Sequence, residues 1–346
     1  MPRFHYTNVA VAAECPVCGG SRSRELYRVT SREAAEHFLT ADGDRLERLV
    51  RHIEMLWRGA KASVLQCEAC GFCFAHPYVA GDAAFYELAY DRAGYPAWNW
   101  EHEVTLGALE RSGIFTPGNP ARVLEIGAGS GNFVRRLVER GVAPERICCT
   151  EYSEFGRQQI ARAGIECAGE DVRSSRLDGW SGRFDAVCLF QVLEHMDRLD
   201  ELFARLRQLT RGGADIFIAV PNERRIAFNE TNGAVLDMPP NHIGRWNRRC
   251  FECIGERHGY RLVEHRYEEP GYVKSAFELA VYLYLRRAQH RASLANRIER
   301  MDRGIARKLL RVPAVAVAAL PNLAGFVRVA APGLGDSQWA HLAKQA

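Results

Sequence analysis

The chain opens without the unbroken apolar stretch of an export signal, because MPRFHYTNVAVAAE carries His5 and Asn8 where such a stretch would run. On that reading the protein is expected in the cytoplasm, where disulfide frameworks are rare. An excess of one charge is also missing. Lysine and arginine number 46 against 42 aspartates and glutamates, and a net charge of +4 does not by itself argue for nucleic acid as a partner. No internal repeat or low-complexity tract is present. The most apolar tract, VPAVAVAALPNLAGFVRVAAP, is interrupted by Pro313, Pro321, Gly325 and Arg328, so a membrane-spanning helix is not expected. What is there suits a soluble globular chain. With 346 residues, 47% hydrophobic and 25% charged, it can form one large domain plus a small one, or two ordinary domains.

Cysteine is plentiful, at 11 residues, and its placement is uneven. Cys15-x-x-Cys18 and Cys67-x-x-Cys70 each present two thiols from a tight turn, with Gly19 and Gly71 following the second cysteine of each pair. Two such knuckles supply four soft ligands for a tetrahedral Zn²⁺ site, with no position left open for chemistry. The site is therefore expected to be structural. Cys73 reads as a bystander, and Cys250 and Cys253 as core positions on a helix. Between the knuckles, SREAAEHFLTADGDRLERLVRHIEMLW has helical spacing with a turn at Ala41-Asp42-Gly43. The expected organisation is a zinc-binding unit with a helical insert over 1–75, aromatic-rich linker or lid helices over 76–118, and a large domain over 119–346.

In the large domain short apolar runs alternate with amphipathic helices. RVLEIG, RICCTEY, GIECAG, FDAVCLF, ADIFIAV and YRLVEHRY read as strands, and NFVRRLVERG, EFGRQQIARAG and LDELFARLRQLTRGG as helices. Such alternation predicts a doubly wound α/β domain around a mostly parallel sheet. After it, 274–331 is helical and first basic, then apolar. That pattern suits either peripheral contact with an anionic membrane or packing against a partner.

VLEIGAGSGNF spans Val123 to Phe133 and places Gly127, Gly129 and Gly131 after an apolar strand. A strand ending in glycines before a helix points backbone N–H groups at an anion. The dinucleotide fingerprint G-x-G-x-x-G would need glycine at Asn132. Glu125, two residues ahead of the first glycine, suits a ligand carrying an ammonium group rather than a pyrophosphate. Glu151, ending the second strand, can bind both hydroxyls of a ribose. Tyr152 can offer a face to a purine, and Glu170 or Asp171 can reach an adenine amino group. The ligand required is a nucleoside with a positive, amino-acid-like tail.

These stretches, with FDAVCLFQVLEHM, LTRGGADIFIAVPN and NHIGRWNRRCFECIGERHGYRL, resemble the class I S-adenosylmethionine-dependent methyltransferases. The resemblance runs from about residue 119 through YRLVEHR and implies a seven-stranded Rossmann-like sheet. GDSQWAHLAKQ resembles the family's final antiparallel strand, making 274–331 a helical insertion before it. The front is similar to the zinc-binding unit preceding such domains in bacterial methyltransferases of sugar, polysaccharide and natural-product pathways. The resemblance implies that Glu125, Gly127 and Gly129 line the methionine and ribose portion, Glu151 the ribose, Asp171 or Glu170 the adenine, and that Phe190 contacts the cofactor.

Methyl transfer is an in-line displacement, so a hydroxyl acceptor needs alignment and a proton acceptor. His242 and His195, with Glu194 beside it, are the candidates, and Tyr86, Tyr90, Tyr95, Trp98 and Trp100 can form a lid or pack between units. Some relatives carry a metal site of the form E-x-x-E-H completed by a later histidine, but here Gln191 replaces the first acid. The expected acceptor is a small molecule or glycan. The alternatives are an RNA methyltransferase using the zinc unit for recognition, which the balanced charge of that unit disfavours, and a non-catalytic binding protein.

Overall fold

The structure is a computed structural model that describes residues 7–39, 43–90, 98–232, 237–288, 292–301 and 304–345. The turn expected at Ala41 and Asp42 lies outside these residues, as do Tyr95, Arg291 and Arg303. A first, antiparallel sheet starts with β1 (Val9–Ala12), β2 (Arg22–Thr30), β3 (Lys61–Cys67) and β4 (Cys73–His76). Helices α1 (Ser31–Phe38) and α2 (Gly43–Trp57) are inserted between β2 and β3. Thr30 and Glu33 cap α1 reciprocally, so the strand passes directly into the helix. Leu49, Val50, Ile53 and Trp57 form the buried stripe of α2. The linker supplies α3 (Ala83–Ala89) and α4 (Trp100–Arg111).

The second sheet follows the alternation read from the sequence. Its parallel part is β5 (Val123–Ile126), β6 (Ile147–Thr150), β7 (Glu166–Ala168), β8 (Phe184–Phe190) and β9 (Thr210–Pro221). Between them run α5 (Asn132–Glu139), α6 (Glu154–Ala161) and α7 (Leu199–Leu209), and α8 (Glu223–Thr231) follows β9. All residues of β5 and β6 are buried, as strands covered on both faces must be.

The next strand, β10 (Gly244–Arg245), does not join this sheet. It pairs antiparallel with β4, Gly244 opposite Phe74 and Arg245 opposite Cys73, as the fifth strand of the front sheet. The boundary expected at residue 75 thus falls inside β4, and the front unit borrows its outer strand from the large domain. The two share one core as well: Val17, Leu65 and Phe72 cluster with Leu206, Trp246 and Phe251.

After β10 come α9 (Arg248–His258) and β11 (Tyr260–Tyr267), then four helices, α10 (Tyr272–Ala288), α11 (Leu294–Glu299), α12 (Ile305–Ala319) and α13 (Leu323–Arg328), and finally β12 (Ser337–Lys344). β12 runs antiparallel to both β9 and β11, completing seven strands in the order β11-β12-β9-β8-β5-β6-β7. The interruption expected at the prolines is corrected here. Pro313 sits inside α12 and Pro321 in a short 3-10 turn, yet helical structure runs on from Ile305 to Arg328. These 24 residues are long and apolar enough, by length and composition, to cross a membrane.

Candidate active site

Strand β5 ends in the loop that the sequence singled out. Gly127, Gly129 and Gly131 have φ of 71°, 56° and 78°, the left-handed region that costs glycine nothing. A Cβ on Gly127 would lie 2.6 Å from Val192, and one on Gly131 2.6 Å from Ile160, so side chains are excluded there by contact too. The turn is held from the neighbouring strand. Glu151 accepts hydrogen bonds from the Gly129 amide (2.8 Å) and the Ser153 amide (2.7 Å), and Gly127 N–H donates to the Thr150 carbonyl (2.8 Å).

The loop forms one wall of a cleft whose other walls are the start of α4 and the end of β8. Glu125 and Phe190 line it as expected neighbours; so do Glu101 and His102, which sequence reasoning missed, and Gln191, which that reasoning sets beside the histidine cluster instead. Glu125 is 3% exposed and Glu101 1%, and one carboxylate oxygen of each is buried without a hydrogen-bond partner. Burial, reinforced by the nearby Glu151 charge, pushes the Glu125 carboxyl well above the usual range. Two buried carboxylates opening on one cleft call for a cationic donor there. This geometry fits the ammonium of an amino-acid tail. Glu101 was hidden because W-N-W-E-H-E reads as a packing helix. The available signal was Asn99, an N-cap residue that turns the first helical turn toward the cleft.

Farther along, Tyr152 is 65% exposed and its hydroxyl donates to Asp171 (3.0 Å). Asp171 also takes the Arg173 amide, Nε and Nη2 at 2.8, 2.8 and 2.6 Å. Both of its oxygens are doubly engaged. Glu170, by contrast, has only a 3.4 Å contact to Arg176 among the described residues.

The second cluster lies where the two sheets meet. Ligand atoms of Glu194, His195 and His242 all fall within 4.8 Å of one another. His195 Nδ1 sits 2.7 Å from the Asn241 carbonyl and 3.2 Å from the Tyr86 hydroxyl, and its Nε2 is 3.7 Å from Glu194. His242 Nδ1 lies 2.7 Å from Asp237, a residue the sequence reading did not select. Bonding to an oxygen acceptor puts the proton on Nδ1 of each ring, which leaves Nε2 of each with its lone pair. Burial holds the Glu194 carboxyl at about 7 and drops His195 to about 3. At His242 burial also opposes the charge, but the Asp237 carboxylate outweighs it and the pKa is raised. Gln191 lies apart from this cluster: its amide donates to Glu101 and to Ser337, both at 3.1 Å.

The cluster is tied to the front sheet. Ala75 of β4 donates to the Ile243 carbonyl (2.9 Å), and Ile243 N–H donates to the Glu194 carbonyl (2.9 Å). Tyr86 and Tyr90 of the linker stack on each other, and Tyr86 packs edge-on to His195.

In the front unit all four thiols of Cys15, Cys18, Cys67 and Cys70 lie within 4.8 Å of one another. The Cys15–Cys70 and Cys18–Cys67 sulfurs are each 3.6 Å apart, near the ~3.8 Å edge of a tetrahedron with Zn–S bonds of about 2.3 Å. Gly19 and Gly71, at φ 71° and 76°, close the two turns. Cys73 points elsewhere, to the Gly71 carbonyl, and Cys250 is buried in the shared core.

A family model described as "Methyltransferase domain" matches residues 102–265. No curated protein matches the chain. Among solved structures, the chain is similar to a SAM-dependent methyltransferase from Archaeoglobus fulgidus, at 20% identity and a TM-score of 0.43, over 70% of this chain and 94% of that one. It is also similar to a putative sarcosine dimethylglycine methyltransferase from Galdieria sulphuraria, at 12% identity and a TM-score of 0.42, over 70% and 85% of the two chains. The matched segment contains the glycine loop, Glu125, Glu151 and the histidine cluster, and over it the chain is similar to methyltransferase domains.

Proposed function

We propose that the protein methylates a hydroxyl of a sugar, glycan or natural product, with His242 accepting the hydroxyl proton. The observation that carries this reading is the Asp237–His242 pair, whose 2.7 Å contact through Nδ1 orients the ring and leaves Nε2 unused by Asp237, in a cluster with Glu194 and His195. S-adenosylmethionine supplies a methyl group activated by its sulfonium charge. Glu125, assisted by Glu101, receives the ammonium, Glu151 the ribose hydroxyls, and Tyr152 with Glu170 or Asp171 the adenine, while Phe190 closes the cleft beside Gly127 and Gly129. The Asp237 carboxylate stabilises the imidazolium that forms, and Glu194 and His195 position the acceptor. Cys15, Cys18, Cys67 and Cys70 hold a structural Zn²⁺. Radiolabelled methyl transfer into glycan, lipid, RNA and small-molecule fractions tests the acceptor class, and label confined to RNA would overturn it.

A second reading draws on the same cluster. A carboxylate and two imidazoles converge, and each Nδ1 has an outer oxygen partner, the kind of arrangement that orients histidines toward a divalent cation. Dialysis against EDTA separates the two. Retained activity in folded, zinc-loaded protein favours the base, and restoration by Mn²⁺ or Mg²⁺ favours the metal.

Two substitutions test the cofactor cleft. Glu151→Ala removes the ribose ligand and frees the Gly129 amide, so cofactor affinity should fall by on the order of 2–3 kcal/mol. Calorimetry showing unchanged affinity would take Glu151 out of the site. Glu101→Gln keeps the size but not the charge. It should weaken S-adenosylmethionine by about 1–3 kcal/mol while sparing a nucleoside that has no amino-acid tail. Equal loss for both ligands would mean that Glu101 only supports the helix.

A further inference from the structure

The helical insertion exposes an apolar stripe that no described residue covers. On the run Ile305–Arg328, Ile305, Leu309, Val312, Ala316, Leu320, Leu323 and Val327 recur at intervals of three or four and are all exposed. Leu309, Val312, Leu323 and Val327 are 69–78% exposed. The opposite face is the packed one, with Ala314, Val315 and Ala318 against Tyr284 of α10. The stripe is therefore not a core face turned outward by a missing turn.

Charge distinguishes the occupants of such a face. From residue 304 to 335 the chain has no aspartate or glutamate, while Arg307, Lys308, Arg311 and Arg328 flank the apolar tract. Arg307 and Arg311 are paired with Glu299, but Lys308 and Arg328 have no ion pair among the described residues. A second copy docked antiparallel would bring Lys308 and Arg311 of one chain toward Arg328 of the other. A parallel copy would set each cation beside its own counterpart. Either pairing buries the stripe at the cost of like-charge repulsion.

We propose that this face lies on an anionic lipid bilayer, with the stripe in the headgroup–acyl boundary and the flanking cations among the headgroups. The uncharged part, residues 312–327, is 16 residues long, about 24 Å of helix against a hydrocarbon core of about 30 Å. The whole run of 24 residues reaches a spanning length only by including Arg307, Lys308 and Arg311, so its uncharged part is short for a span. Lying flat, it can bury its outer face about 5–10 Å deep while α10 covers the inner one.

The test is flotation of the full chain with phosphatidylserine/phosphatidylcholine vesicles and with phosphatidylcholine alone, at low and at high salt. The protein should float with the anionic vesicles at low salt and be released by high salt, which screens the headgroups. Lys308→Gln and Arg328→Gln should each lower partitioning by about fivefold, the ~1 kcal/mol expected of one surface cation. The double variant Leu320→Asp/Leu323→Asp, at exposed positions that folding does not need, should abolish it. Three results overturn the proposal: protein left at the bottom of the gradient with anionic vesicles, flotation unchanged by Leu320→Asp/Leu323→Asp, or light scattering showing a dimer that the same double variant dissociates.

Discussion

Cys67→Ser should cost the protein its front sheet and, with it, most of its turnover, while S-adenosylmethionine still binds. A structural zinc contributes roughly 10–16 kcal/mol in small zinc peptides. That matches or exceeds the whole net stability of an ordinary domain, about 5–15 kcal/mol. A serine hydroxyl cannot replace the thiolate at this site. The loss then travels along bonds that can be named. Asn247 donates to the Cys70 carbonyl (3.1 Å), Arg257 to the Val17 carbonyl (2.7 Å), and Ala75 to Ile243, the residue after His242. The cofactor cleft is built from β5, α4 and β8, and among the described residues no hydrogen bond ties its lining to the four cysteines. Metal analysis, calorimetry and turnover measured on one preparation check this. A zinc-free wild type that is folded and active would dispose of the zinc assignment. A Cys67→Ser protein that keeps full turnover would dispose of the coupling.

His242→Ala should lower turnover by roughly 10²–10⁴-fold, the usual contribution of a positioned general base, with cofactor affinity unchanged. Asp237→Asn should give a smaller loss of the same kind, because the ring remains but loses the charge that stabilises its protonated form. The ratio of the two tells how much of the effect is orientation. Turnover unaffected by His242→Ala would refute the base. Turnover of the variant that remains absent at high pH, where hydroxide can assist a bound hydroxyl, would point to ligation of a cation instead.

Local patterns were legible wherever one segment carries the whole signal. β5 and β8 read as buried strands because nearly every residue in them meets the core, and the glycine loop read as a ligand turn because all three glycines take positive φ. The paired cysteines announced their cluster by spacing alone. What stayed hidden depends on distant partners. β10 is two residues long and pairs with β4 some 170 positions earlier in the chain, a relation that no periodicity records. Glu101 and Asp237 matter through what they face, and a lone acid at a helix start or in a loop has many uses. Pro313 misled in another way. The carbonyl it leaves unbonded belongs to Leu309, which lies on the exposed face where water can satisfy it, so the helix continues.

The order of strands in the large sheet has a bearing on how the chain is made. β12 is inserted between β9 and β11, paired with β9 over 337–343 and with β11 over 338–344, yet residues 337–344 leave the ribosome after every strand they join. Until then β9 and β11 each present an unpaired edge, and the apolar helices 305–328 have already been synthesised. Exposed edges of this kind recruit other chains. A nascent chain whose residues 337–344 are still inside the exit tunnel should therefore aggregate or bind chaperones, whereas one extended past 344 by a linker long enough to clear the tunnel should yield a closed sheet. Protease resistance of ribosome-bound chains of graded length would show the step.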